Sequence, residues 1–161
     1  MSRLVALMLC SMTLAGAASA AKPRAPTEAP TTHVSCTGGP REIKIIVRNV
    51  KKSEGLITAD LYRNEQTTFL RGPGRLQQVR FAAKSPVTMF CLTAPSDEAH
   101  AVAVYQDKNA NKKFDKGAFG LPVEPYGVSN NPRMRFGPPH VEEALFDIAA
   151  EGTTVEIMLN N

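Results

Sequence analysis

Residues 87–105 read VTMFCLTAPSDEAHAVAVY, and the fold turns on how this stretch is read. Val87, Met89 and Cys91 alternate with Phe90 and Leu92, so a strand with apolar side chains on both faces is predicted there. Pro95-Ser96-Asp97-Glu98 supplies a turn. Residues 99–105 follow, apolar on both faces and mostly small, which suits the centre of a sheet.

Working outward, the period of two continues. Ile43, Ile45 and Val47 alternate with Lys44 and Arg48, and the strand is expected to run to about Val50. Lys51-Lys52-Ser53-Glu54-Gly55 reads as a turn, after which Ile57, Ala59 and Leu61 alternate with Thr58, Asp60 and Tyr62. These two strands are expected to pair as a hairpin. Phe69 and Leu70 tuck a loop onto the core, Gly72-Pro73-Gly74 breaks it, and residues 76–81 form a weak strand with imperfect alternation. Downstream, Ala144, Phe146 and Ile148 alternate with Leu145 and Asp147, and Val155, Ile157 and Leu159 with Thr154, Glu156 and Met158. A helix over residues 141–146 competes, and Pro138-Pro139 before it favour the strand. Seven short strands in one small domain predict an all-β fold, an antiparallel β-sandwich. The chain has no Trp, so it lacks the Cys-Trp-Cys pattern of antibody domains.

The 161 residues divide into three parts. Residues 1–20 have the form of an export signal: Arg3, an apolar run over residues 4–15, and Ala18-Ser19-Ala20 as the cleavage pattern. Cys10 lies in that run without the small residues that lipoprotein processing wants. The competing reading is an uncleaved anchor. Residues 21–35 are rich in proline and lack large apolar side chains, as in a flexible spacer. Residues 36–161 form the domain, and no later stretch is apolar enough to span a bilayer. The expected location is therefore the periplasm or the exterior. There Cys36 and Cys91 are expected to form a disulfide, worth roughly 4 kcal/mol on the chain-entropy model; two free buried thiols are the alternative. A net charge of +4, with acidic and basic residues interleaved, gives no basic-aromatic pattern for nucleic acid. It allows weak attraction to anionic glycans or lipid headgroups, with a solvated surface as the alternative, and it names no partner beyond the general class of a cell-envelope glycan or protein.

Two candidate sites lie in residues 105–139. Asp107, Asn109 and Asn111 place oxygens at alternate positions, Lys113 offers a carbonyl and Asp115 follows, as in a loop that curls around Ca²⁺. Lys112 stands where an EF-hand has glycine and Ala118 where it has glutamate, and Asn and Asp at this spacing also cap their own backbone in Asx turns. Further on, Glu124, Tyr126, Asn130, Asn131, Arg133, Arg135 and His140 are candidates for a polar ligand patch on a long loop with apolar anchors. The alternative is that the amides satisfy loop backbone and the arginines are solvated. His33, His100 and His140 have no zinc spacing, and no catalytic signature stands out.

The run Tyr105-x-Asp107-x-Asn109-x-Asn111-x-x-x-Asp115, then Gly120-x-Pro122-x-Glu124-x-Tyr126-Gly127-x-Ser129-Asn130-Asn131 and Phe136-Gly137-Pro138-Pro139, resembles the domain-of-unknown-function 2141 family. The resemblance implies bacterial export and an immunoglobulin- or transthyretin-like sandwich, with no activity attached. Members commonly carry glycine where this chain has Ala110 or Lys112, and histidine where it has Gln106. The sequence thus predicts a non-enzymatic binding or structural module whose long loop is the ligand surface. The alternative is a cell-envelope hydrolase acting on glycans or peptides through Glu124, His140 and the arginines.

Overall fold

The computed structural model describes residues 36–133 and 137–160. The expected leader (residues 1–20), the expected spacer (residues 21–35) and Arg135 lie outside the described residues. The described residues form seven strands: β1 (Glu42–Arg48), β2 (Leu56–Arg63), β3 (Arg75–Ala82), β4 (Val87–Thr93), β5 (His100–Asp107), β6 (Tyr126–Val128) and β7 (Thr153–Met158). One helical turn, α1 (Val141–Ala144), joins them. The strands form two sheets, ordered β4-β1-β7 and β3-β2-β5-β6. Their inner faces meet in a core of Ile43, Ile45, Val47, Ile57, Ala59, Leu61, Phe81, Phe90, Val102, Val104, Val155 and Ile157. Phe81 and Phe90 stack between the sheets with centroids 4.4 Å apart. The all-β sandwich read from the alternation is the observed architecture, with one parallel pair, β1 with β7, among antiparallel ones.

The structure corrects four local expectations. β1 and β2 are not a hairpin: both edges of β1 are taken by β4 and β7, and residues 51–55 carry the chain across to the other sheet. Alternation tells which face of a strand is buried, not which neighbour it pairs with. β4 is covered on one face, where Thr88, Phe90 and Leu92 are buried, while Met89 is exposed and Cys91 is covered beside the disulfide. The strand expected over residues 144–148 is absent. Val141–Ala144 is helical, its start held by the His140 N–H donating to Glu143 Oε2 at 2.9 Å and the Val141 N–H to Gln66 Oε1 at 2.6 Å. Glu142 and Glu143 in the first turn favour that start, and prolines before a helix do not oppose it. The alternation survives because the chain rounds the sheet edge: Ala144 packs on one side of the second sheet, Phe146 and Ile148 on the other. Finally, Tyr126–Val128, inside the expected loop, pairs with β5 as an edge strand.

Cys36 and Cys91 are bonded, with Cα atoms 5.6 Å apart. The segment before β1 is held as well by Glu42, whose carboxylate accepts from the Thr37 N–H at 2.9 Å and the Gly38 N–H at 2.8 Å. Those N–H groups keep the Glu42 carboxyl below its usual range. Among the described residues no helix is long and apolar enough to cross a membrane.

Candidate functional site

The central strands of the second sheet, β2 and β5, are largely buried on both faces. Its outer face carries a grid set by register: Arg80, Thr58, Tyr105 and Tyr126 in one row, Gln78, Asp60, Ala103 and Val128 in the next, Arg75, Tyr62 and Ala101 in the third. A bulge between Leu61 and Tyr62 sets Arg75, rather than Leu76, opposite Tyr62. That bulge is also why alternation along β3 looked imperfect. A second apolar cluster (Tyr62, Phe69, Ala101, Val128, Val141 and Ala144) seals part of this face.

Where the grid is lined by Ala103, the small side chain leaves room. A cavity of about 750 Å³ opens there. Phe69 packs edge-on against Tyr62 at one end (centroids 5.4 Å apart), and Phe114 packs between Tyr105 and Tyr126 at the other (5.1 and 5.8 Å). Among the described residues, Arg71, Arg75, Arg80, Lys112, Lys113 and Lys116 line the walls, against one carboxylate, Asp60. Asp60 is already engaged: Gln78 Nε2 donates to it at 2.7 Å, and Arg75 Nε lies 3.0 Å away. Burial raises the Asp60 carboxyl in spite of these partners, and burial together with the Asp60 charge pushes the Tyr62 hydroxyl up to about 12. Arg80 donates through one Nη to Gln78 Oε1, while its buried Nε, like the neighbouring Thr58 Oγ1, has no partner among the described residues. A pocket of this size with aromatic walls and a few convergent donors suits an organic ligand bearing negative charge.

The loop after β5 is held by its own polar groups. Asp107 is fully buried and accepts from the Asn111 N–H (3.0 Å) and the Lys112 N–H (2.7 Å). Asn109 Oδ1 accepts from the Asn111 N–H at 3.1 Å, and Asn111 Oδ1 from the Lys113 N–H at 2.8 Å. The Asn111 and Asn109 side-chain amides donate to Asp115 and hold its carboxyl below the usual range. Each side-chain oxygen offered by the cation-like spacing therefore has an N–H donor in the chain itself. Among the described residues, the trio of Cys, His or carboxylate ligand atoms within 4.8 Å of one another is Cys36, Glu42 and Cys91, the disulfide rather than this loop. Ala110 and Lys112 have φ of 54° and 65°, the left-handed conformation that glycine adopts most easily.

Of the seven residues expected in a ligand patch, Tyr126 lines the cavity. Glu124 is buried outside it, its oxygens accepting from the Lys108 N–H at 3.2 Å and the Asp115 N–H at 3.0 Å. Asn130 donates to Leu145 O at 2.5 Å, and Asn131 bridges to β7 through Glu156 O (2.9 Å) and the Met158 N–H (2.7 Å). Arg133 and His140 are exposed and do not line the cavity. The cationic lining from β3 escaped the sequence reading, although one signal was available: Arg75, Gln78 and Arg80 cluster in a strand whose alternation was poor.

The profile of a family described as "Uncharacterized protein conserved in bacteria (DUF2141)" matches residues 45–156. The chain belongs to DUF2141. That span runs from β1 into β7 and takes in the whole cavity and the loop that frames it. No curated protein and no solved structure matches this DUF2141 chain.

Proposed function

We propose that this DUF2141 chain is an exported binding module that takes an organic anion with an apolar body into the cavity on the outer face of the second sheet. The observation that carries the reading is the wall composition among the described residues: six cationic side chains and three tyrosines, with one carboxylate, Asp60, already held by Arg75 and Gln78. Five cationic groups are left without a carboxylate on the cavity wall, and Arg80 Nε has a donor to spare. The Cys36–Cys91 bond supports an oxidising compartment, in keeping with the leader expected at residues 1–20. Binding is favoured over hydrolysis because Glu124 is spent on backbone N–H groups and His140 lies outside the cavity.

The test uses two fluorescent probes of similar shape, anilinonaphthalene sulfonate and neutral phenylnaphthylamine. The sulfonate is expected to bind at one site and more tightly than the neutral probe. Arg80→Gln should weaken it about ten- to hundredfold, the range of one charge-assisted hydrogen bond. Ala103→Leu, which fills the space beside Asp60, should weaken both probes. Equal affinity for the two probes, or variants that bind like the parent, would overturn the assignment.

A further inference from the structure

The chain after Asp115 makes a tight hairpin. Lys116 bridges to Pro122, the Gly117 N–H donates to Leu121 O at 2.8 Å, and the Val123 N–H to Asp115 O at 3.2 Å. Its tip presents Phe119 wholly exposed, Leu121 66% exposed and Val123 61% exposed. Among the described residues these three are the most exposed large apolar side chains. Phe119 has φ of 62°, a conformation that costs a bulky residue free energy. That cost goes to placing an aromatic ring in solvent, where nothing among the described residues covers it.

Lys108, Lys112, Lys113 and Lys116 lie in the run that leads into the tip, all four are exposed, and none forms an ion pair among the described residues. Of the acidic side chains of the same stretch, Asp107 and Glu124 are buried and accept backbone N–H groups, while the half-buried Asp115 accepts from Asn109 and Asn111 at the surface. The exposed charge of the loop is therefore positive on balance, four lysines against Asp115. An apolar tip next to a run of exposed lysines is the arrangement by which a protein seats side chains among acyl chains and cations among headgroups. A second protein is a poorer occupant. Three side chains on a convex tip cover a few hundred Å² at most, while a stable interface takes roughly 800 Å² from each partner.

We infer that the hairpin around Phe119 is a docking element for the surface of an anionic lipid bilayer. The hairpin shares Leu121 and Lys116 with the cavity wall, and Lys112 and Lys113 line it too, whereas Phe119 and Val123 lie off that wall, so changes at these two test the hairpin apart from the cavity's ligand.

The experiment is co-sedimentation with vesicles of phosphatidylcholine mixed with phosphatidylglycerol, and with phosphatidylcholine alone. The protein is purified from the compartment in which it accumulates. A Phe119→Ser, Val123→Ser double variant is prepared in the same way, so any contribution of residues 1–35 is common to both. The parent is expected to bind the mixed vesicles, to prefer them to the neutral ones, and to lose that preference as salt rises. The double variant should bind the mixed vesicles about tenfold or more weakly, with an unchanged melting temperature and unchanged binding of the sulfonate probe. Failure of the parent to bind, or equal binding by the variant, would overturn the inference. So would a lipid-free dimer that the double variant abolishes, since the tip would then belong to a second copy of the chain.

Discussion

Gly55→Ala is expected to lower the melting temperature by roughly 10–20 °C, a loss of about 4 kcal/mol or more for a domain of this size. Gly55 ends the crossover between the two sheets with φ of 68°. A Cβ added there would lie 2.0 Å from Asp107 O and 2.7 Å from the Lys108 Cα. Both are backbone atoms at the root of the cavity's loop, so no side-chain rotation relieves the clash. The left-handed conformation alone costs alanine about 1–2 kcal/mol; the rest comes from forcing apart two segments that Gln106 ties together. That side chain, 1% exposed, donates to Lys52 O at 3.0 Å and to Glu54 O at 2.9 Å. Gly72→Ala is the control, because its Cβ would meet nothing within 4 Å and its φ is not positive. It should melt within a degree or two of the parent. Thermal unfolding by circular dichroism measures both, and a Gly55→Ala protein as stable as the control would refute the account of the crossover.

The same crossover marks where the sequence stops being readable. Ile43, Ile45 and Val47, and Ile57, Ala59 and Leu61, announce buried faces that the structure places in the core. The placement of the two strands in opposite sheets rests on backbone pairing with β4, β7, β3 and β5, segments distant in sequence that leave no mark on local periodicity. Tyr126-Gly127-Val128 is too short to show a period. Its pairing also depends on a close approach: a Cβ on Gly127 would lie 2.4 Å from Met158 O. The site was legible in part. The Asx-rich spacing from Asp107 to Asp115 and the length of the next segment pointed to the loop that frames the cavity. The opposite wall comes from a bulge that puts Arg75 on the outer face, and a bulge appears in sequence only as spoiled alternation. Glu124 looked like a ligand because it is a carboxylate among loop residues, whereas its oxygens close the loop.

That closing role gives the second large effect. Glu124→Ala is expected to cost roughly 2–4 kcal/mol, since two hydrogen bonds to a charged acceptor disappear together. The groups released are the N–H of Lys108, at the end of β5, and the N–H of Asp115, across the Asx-rich turns. Hydrogen exchange at those two amides should accelerate more than exchange in β1 or β4. Lys112, Lys113 and Phe114 lie between the two attachment points and line the cavity, so affinity for the sulfonate probe should fall with stability. The pH dependence separates charge from shape. Burial raises the Glu124 carboxyl above its ordinary value of 4.5 despite the two N–H donors. The folded chain therefore takes up this proton more readily than the unfolded chain, and the group's contribution to stability declines as pH rises from 4.5 through its folded value. Asp115 acts in the opposite sense: its lowered value gives stability that is present above 3.8 and lost as pH falls through the folded value. Glu124→Gln keeps one acceptor oxygen and removes the titration, so it should cost about half as much as alanine and remove Glu124's share of the decline above pH 4.5, leaving that of Asp60. Repeating the melts with millimolar Ca²⁺ tests the cation reading of the same loop, because a rise that Asp115→Asn removes would put an ion among these oxygens. Glu124→Ala melting like the parent, with unchanged exchange at Lys108 and Asp115, would mean that the Asx turns hold the loop without the clamp.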